Sequence, residues 1–160
     1  MRLRIRIAFL LALGDAVTYA QTTPVLPYAV TLRAQEANVR VGPGRQYPLS
    51  WKFVRSGIPL IVLAEVGIWR KIQDAEGEEG WIHQNMLTMR RSALVIEKTH
   101  SLLDKPSADA QVVAYLEPGT SAQLQEIRGD WLRVKVERLT GWLHRSQTWG
   151  VLKGEKDRRF

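Results

Sequence analysis

The chain holds three histidines, and two of them stand in a phrase that is written twice. Gly80-Trp81-Ile82-His83 returns as Gly141-Trp142-Leu143-His144, while His100 stands apart. An imidazole beside an indole invites acid–base or metal chemistry, but both need company. A nucleophilic triad sets a nucleophile and an orienting carboxylate around its imidazole, and no Ser, Asp or Glu stands near either phrase in such a spacing. A structural or catalytic zinc needs three or four protein ligands, and one His per copy is a poor supply. The chain has no cysteine, which removes thiolate nucleophiles, thiolate metal ligands and disulfides together. No enzyme activity, catalytic residue, metal or cofactor is therefore expected. The echo suggests architecture instead: a turn glycine, a strand aromatic, an inward aliphatic and an outward His suit a hairpin in a small barrel.

The elements that would carry the phrase are short strands. Ala37-Asn38-Val39-Arg40-Val41 alternates apolar and polar, the mark of a half-buried strand, and Gly42-Pro43-Gly44 breaks it. Trp51 to Val54, Leu60 to Ala64, Ile68 to Ile72 and Trp81 to His83 read as four more strands, with a 3₁₀ turn over Gln84 to Leu87. Strands this short with turns this close exclude an α/β crossover fold and predict a small barrel. The acidic loop Asp74 to Glu79 and the basic pair Arg90-Arg91 are expected in solvent.

A second unit follows without a flexible linker. Gly57, Gly67 and Trp69 recur as Gly119, Gly129 and Trp131, and Ile72 as Val134, all at an offset of 62. The glycine–tryptophan–histidine phrase recurs at 61, and Val39 and Pro43 recur as Leu102 and Pro106 at 63. Anchors that keep register with single-residue slips in loops are what a duplicated domain shows. A unit of about 60 residues has little core, so one large aromatic in each, Trp69 and Trp131, is expected to matter to its stability.

Several of these motifs together resemble the bacterial SH3-like (SH3b) domain family of exported and envelope proteins. The resemblance rests on Asn38-Val39-Arg40-Val41-Gly42-Pro43-Gly44, Tyr47-Pro48, Ser56-Gly57, Gly67-Ile68-Trp69 and Gly80-Trp81-Ile82-His83, in that order. The second unit keeps Pro118-Gly119, Gly129-Asp130-Trp131 and Gly141 to His144 but replaces the opening phrase with Ser101-Leu102-Leu103-Asp104-Lys105-Pro106, so it reads as a diverged repeat. The resemblance implies an all-β chain of two tandem small SH3-like barrels, over residues 33–91 and 92–152. Residues 153–160 are charged and lack periodicity, so a frayed tail is expected there. SH3 barrels bind through a groove between two loops and an aromatic-lined sheet face. Here that implies Tyr47, Trp51, Trp69 and Trp81 as ligand contacts, with Arg40 and Arg45 supplying charge. A core position competes for Trp69, because Trp is mostly buried.

Residues 1–20 have the layout of a secretory signal: a basic start with Arg2, Arg4 and Arg6, an apolar run from Ile7 to Leu13, and small residues at Thr18 and Ala20 before Gln21. A membrane span needs about 20 apolar residues, and Gly14-Asp15 interrupts first. Residues 21–32, with Pro24 and Pro27, read as an extended linker. The net charge is +7; without the three arginines and Asp15 of the signal it is +5. A basic excess favours anionic surfaces. The expected place is the bacterial periplasm or exterior, and the expected partner peptidoglycan or an envelope protein or peptide, with no nucleic acid. A protein-interaction adaptor is the alternative, and predicts an exposed apolar patch on one unit.

Overall fold

The computed structural model describes residues 24–160. The secretory signal expected over residues 1–20 and the start of the linker lie outside the described residues. The chain is all-β, and its two sheets repeat one topology.

The first unit contains β1 (Tyr28–Leu32), β2 (Ala37–Arg40), β3 (Leu49–Phe53), β4 (Pro59–Val66), β5 (Trp69–Gln73), β6 (Glu79–His83) and β7 (Leu87–Thr88), with a 3₁₀ turn Gln84–Met86 before β7. The second contains β8 (Ser92–Val95), β9 (His100–Leu103), β10 (Val112–Leu116), β11 (Ser121–Arg128), β12 (Trp131–Val136), β13 (Leu139–His144) and β14 (Thr148–Trp149), with its 3₁₀ turn at Arg145–Gln147. The sheet orders are β3-β2-β6-β5-β4-β1-β7 and β10-β9-β13-β12-β11-β8-β14. Each strand of the second sheet thus takes the place of the strand seven earlier, so the duplication read from the glycines is a duplication of fold.

Period-2 alternation decides what each strand buries. In β5 and β6 the inward residues are Ile72 and Ile82, both 0% exposed. Trp69 and Trp81 have the opposite parity and lie on the outer face. Each core is accordingly aliphatic: Val39, Leu60, Val62, Ile72 and Ile82 in the first unit, and Leu102, Leu124, Leu132, Val134 and Leu143 in the second. The core position that competed for Trp69 is therefore corrected: Trp69, like Trp131, is a half-buried outer-face residue. The glycine of the repeated phrase sits where strands approach closely. A Cβ on Gly141 would lie 2.6 Å from Leu102 Cγ and 2.7 Å from the Leu103 carbonyl oxygen, and Gly80 meets Val39 in the same way.

Three segments differ from the sequence reading. The linker does not run to residue 32, because Tyr28–Leu32 is a strand pairing β4 and β7. Its alternation is hidden: Ala29 to Leu32 are all buried, since both faces of the strand are covered. The tail does not fray: β15 (Arg158–Arg159) pairs β11, and the Phe160 N–H donates to the Gln125 carbonyl at 2.9 Å. The basic pair is split, with Arg90 exposed and Arg91 buried. Arg91 donates to Glu155 through Nη1 (2.8 Å) and Nη2 (2.9 Å), and through Nη2 to the Gly150 carbonyl (2.9 Å). Asp74 is also buried, its Oδ1 accepting from the N–H groups of Glu76 (3.1 Å) and Glu78 (2.9 Å) to close the acidic loop.

The units are stitched together. The hydroxyls of Thr31 and Ser92 share a buried hydrogen bond of 2.7 Å, Arg55 Nη2 donates to the Gly119 carbonyl at 2.9 Å, and the Ser121 hydroxyl donates to the Gly57 carbonyl. Gly150, at φ 102°, lies against Pro59 with no room for a side chain.

Candidate functional site

The repeated histidines serve the backbone. His83 caps the turn Gln84–Met86, its Nδ1 accepting from the Asn85 N–H at 3.1 Å. His144 caps Arg145–Gln147 in the same way, and the Gln147 side chain answers by accepting from the His144 N–H at 2.9 Å, which completes a capping box. Each imidazole also meets the tryptophan opposite it edge-on. Trp69 and His83 are 5.7 Å apart at 76°, and Trp131 and His144 are 5.4 Å apart at 90°. Among the described residues no group of three or more His, Asp or Glu is placed to hold a metal ion.

Around the first of these pairs the outer face becomes a cleft. Residues paired across strands share a face. The register sets Asn38 opposite Lys52, Arg40 opposite Trp81, Trp81 opposite Lys71, and Trp69 opposite His83. The resulting surface carries cations and indoles side by side. A cleft of about 450 Å³ opens on it, lined by Asn38, Arg40, Arg45, Lys52, Trp69 and His83, with Glu36, Ala37, Asn85 and Met86 at its margins. Arg40 is held in place by donating Nη1 to the Tyr47 carbonyl at 2.8 Å. Lys52 pairs with Glu36 at 2.6 Å with both side chains exposed, a pair worth little in water. Three cations against one carboxylate leave the cleft positive.

The six residues expected at a binding groove are thus distributed. Arg40, Arg45 and Trp69 line the cleft. Trp81 lies one row away, beside Arg40. Tyr47 packs over Gly42 and contributes its carbonyl rather than its ring. Trp51 faces the other way: it is paired with the buried Val39 and packs on the core, edge-on to Phe53 at 6.2 Å. Asn38 and Lys52 are not among the site residues the sequence points to, and His83 stands out there for its chemistry rather than as a binding contact. The first follows from counting two back from Arg40, but Lys52 needs the β2–β3 register, which a bulge at Arg40 shifts.

The bacterial SH3 domain family model matches residues 33–88 and again 97–150. The chain belongs to the bacterial SH3 domain family. Both SH3 repeats are matched, including the one whose opening phrase departs from the pattern. Among solved structures the chain is similar to NlpC1 from Trichomonas vaginalis, with 10% identity over 81% of this chain and 48% of that one and a TM-score of 0.36. It is also similar to an NlpC/P60 family protein from Bacillus cereus, with 15% identity over 76% and 55% of the two chains and a TM-score of 0.35. The chain spans about half the length of these structures. A search of curated proteins finds no match.

The two SH3 repeats share the tryptophan–histidine pair but not the cleft chemistry. At the positions of Asn38, Arg40, Arg45 and Lys52 the second repeat has Ser101, Leu103, Ala108 and Tyr115, as the pairings Leu103–Trp142 and Ser101–Tyr115 establish. Trp142 is 7% exposed and covered by the Arg128 guanidinium at 4.9 Å, whereas Trp81 is half-buried. What is duplicated is the hairpin; what is particular to one repeat is the charge.

Proposed function

We propose that the protein is a non-catalytic binding module of the bacterial cell envelope, exported by residues 1–20, whose first SH3 repeat recognises peptidoglycan or an acidic peptide. The observation that carries this reading is the charged set Arg40, Arg45 and Lys52 gathered around Trp69 in one cleft; the second repeat keeps the tryptophan and replaces all three charges. A side chain kept in both repeats answers to the fold they share. A charged set found in one alone answers to something that repeat does. Guanidinium groups match carboxylates with paired donors, and a half-exposed indole offers a flat apolar plate beside them. Peptidoglycan presents both partners, carboxylate-bearing stem peptides on sugar rings. No helix of the described residues is long and apolar enough to cross a membrane.

Incubation of the purified protein with insoluble peptidoglycan at physiological salt tests this. The protein is expected in the pellet, and the Arg40→Ala, Arg45→Ala double variant in the supernatant. Failure of the native protein to pellet beyond a neutral polysaccharide control would sink the cell-wall reading.

A second reading has its own observation. On the second repeat the edge strand β10 exposes Val112, Val113 and Tyr115, the last at 71%. A free edge with apolar side chains suits an added strand from a partner polypeptide. Under this reading a Val113→Lys variant loses partners that the native protein captures from envelope extracts, and equal capture by both contradicts it.

A further inference from the structure

We propose that the cleft between the two SH3 repeats is a second binding site, built for a phosphate ester group. It is separate from the cleft of the first repeat and larger, about 880 Å³, and both repeats line it: Thr31, Arg33, Thr88 and Arg90 from one side, Ser121 and Lys135 from the other. Its walls are fixed by the stitches between the repeats. The Thr31–Ser92 hydroxyl pair is buried at its floor, and the Ser121 hydroxyl is held on the Gly57 carbonyl. A ligand therefore meets a formed surface rather than one it must order, which lowers the cost of binding.

The lining chemistry selects the ligand. Arg90 and Lys135 are exposed, and among the described residues neither side chain has a hydrogen-bond or ion-pair partner. Arg33 uses one Nη on the Asn85 carbonyl at 2.6 Å and keeps its remaining donors. Arg91, also in the lining, is neutralised by Glu155, yet its buried Nε–H has no partner. Glu137 is the single carboxylate of the lining, so the cleft carries a net positive charge. Around the cations stand the hydroxyls of Ser56 and Thr88, while that of Ser121 is committed to the Gly57 carbonyl. Guanidinium, ammonium and hydroxyl donors converging from several directions suit a tetrahedral oxyanion with oxygens on every side. No aromatic ring lines this cleft, so it offers no flat apolar plate of the kind Trp69 gives the other. The two clefts are thus chemically distinct, and on one stitched molecule they would engage a polymer bearing both ligands with avidity. This inference does not depend on what the first-repeat cleft binds.

Two phosphate ester sources share this chemistry, a soluble or polymeric glycerol phosphate and a lipid headgroup. The test titrates the full protein with glycerol 3-phosphate and follows backbone amides by NMR. In parallel, the protein is co-sedimented with vesicles of phosphatidylglycerol or of phosphatidylcholine. Saturable shifts are expected at Arg33, Thr88, Ser92 and Ser121. The Arg90→Ala, Lys135→Ala variant should bind about tenfold more weakly. The Lys98→Ala, Lys153→Ala variant loses the same charge from exposed positions elsewhere and should change affinity less than about twofold. Binding to phosphatidylglycerol vesicles with the same dependence on Arg90 and Lys135 assigns the headgroup; the glycerol 3-phosphate response alone assigns the soluble ester. Equal weakening by the two variant pairs, or no saturable shift at the cleft amides together with no vesicle binding, overturns the proposal.

Discussion

His83 and His144 each do two structural things with one ring: they accept a hydrogen bond at the start of a 3₁₀ turn and present an edge or face to the tryptophan across the hairpin. The cap requires an imidazole nitrogen free to accept, so the side chain works here as an acceptor of fixed position. His83→Ala is expected to cost about 1 kcal/mol, the usual worth of an N-cap, read as a lower midpoint in urea unfolding. His83→Asn, which also caps, should recover most of it. If neither substitution moves the midpoint, the cap contributes nothing. At this scale the sequence was informative by type and less so by place. Parity alone puts Trp69 and Trp81 on the face opposite Ile72 and Ile82. It does not reveal that Trp51 lies on the core face, because that follows from its pairing with Val39 and from the bulge that shifts β3 by one residue.

Among the elements, the C-terminal strand is the one that local reasoning misses. Lys153 to Phe160 are charged and without periodicity, and nothing in them announces a strand. Their docking is set by a residue more than sixty positions earlier. Arg91, 5% exposed, takes the Glu155 carboxylate, Arg145 donates to the Glu155 carbonyl at 3.0 Å, the Gly129 N–H donates to Asp157 at 2.8 Å, and Phe160 lies under the guanidinium groups of Arg158 (4.5 Å) and Arg91 (5.4 Å). Burial alone would raise the pKa of Glu155, but hydrogen bonds from Arg91 and the Leu152 N–H, with the charges of Arg91 and Arg158, outweigh it and hold the carboxyl below its ordinary value. A depressed folded-state pKa gives stability that is complete above the ordinary carboxylate range and is lost as pH falls through the folded value. The exchange protection of the Phe160 amide should therefore be flat from neutrality to about pH 5 and collapse in more acid solution. Glu155→Ala, which leaves Arg91 buried and unpaired, should destabilise the protein by about 3 kcal/mol at neutral pH and remove that dependence. Unchanged acid sensitivity in the variant would assign it elsewhere. The same contrast explains β1: its four buried residues in a row lack the alternation by which β2 was recognised, and Pro27 just before it reads as linker.

For the molecule as a whole, duplication made the fold legible and left function to the differences. Glycines, tryptophans and histidines repeat because a small barrel needs a turn, an aliphatic core and a capped exit twice. Arg40, Arg45 and Lys52 do not repeat, and they gather around Trp69, while the second repeat turns a free edge strand with apolar side chains outward. The central claim is that the first repeat binds through this cleft and the second, with the same tryptophan–histidine pair, does not. The equivalent indoles of Trp69 and Trp131 make an internal control. Titration of the protein with soluble peptidoglycan fragments, followed by the two indole N–H signals and the Arg40 amide, tests it most directly. Saturable shifts are expected at Trp69 and Arg40 with Trp131 unmoved; equal shifts of both indoles, or none at either, rule out binding confined to the first repeat.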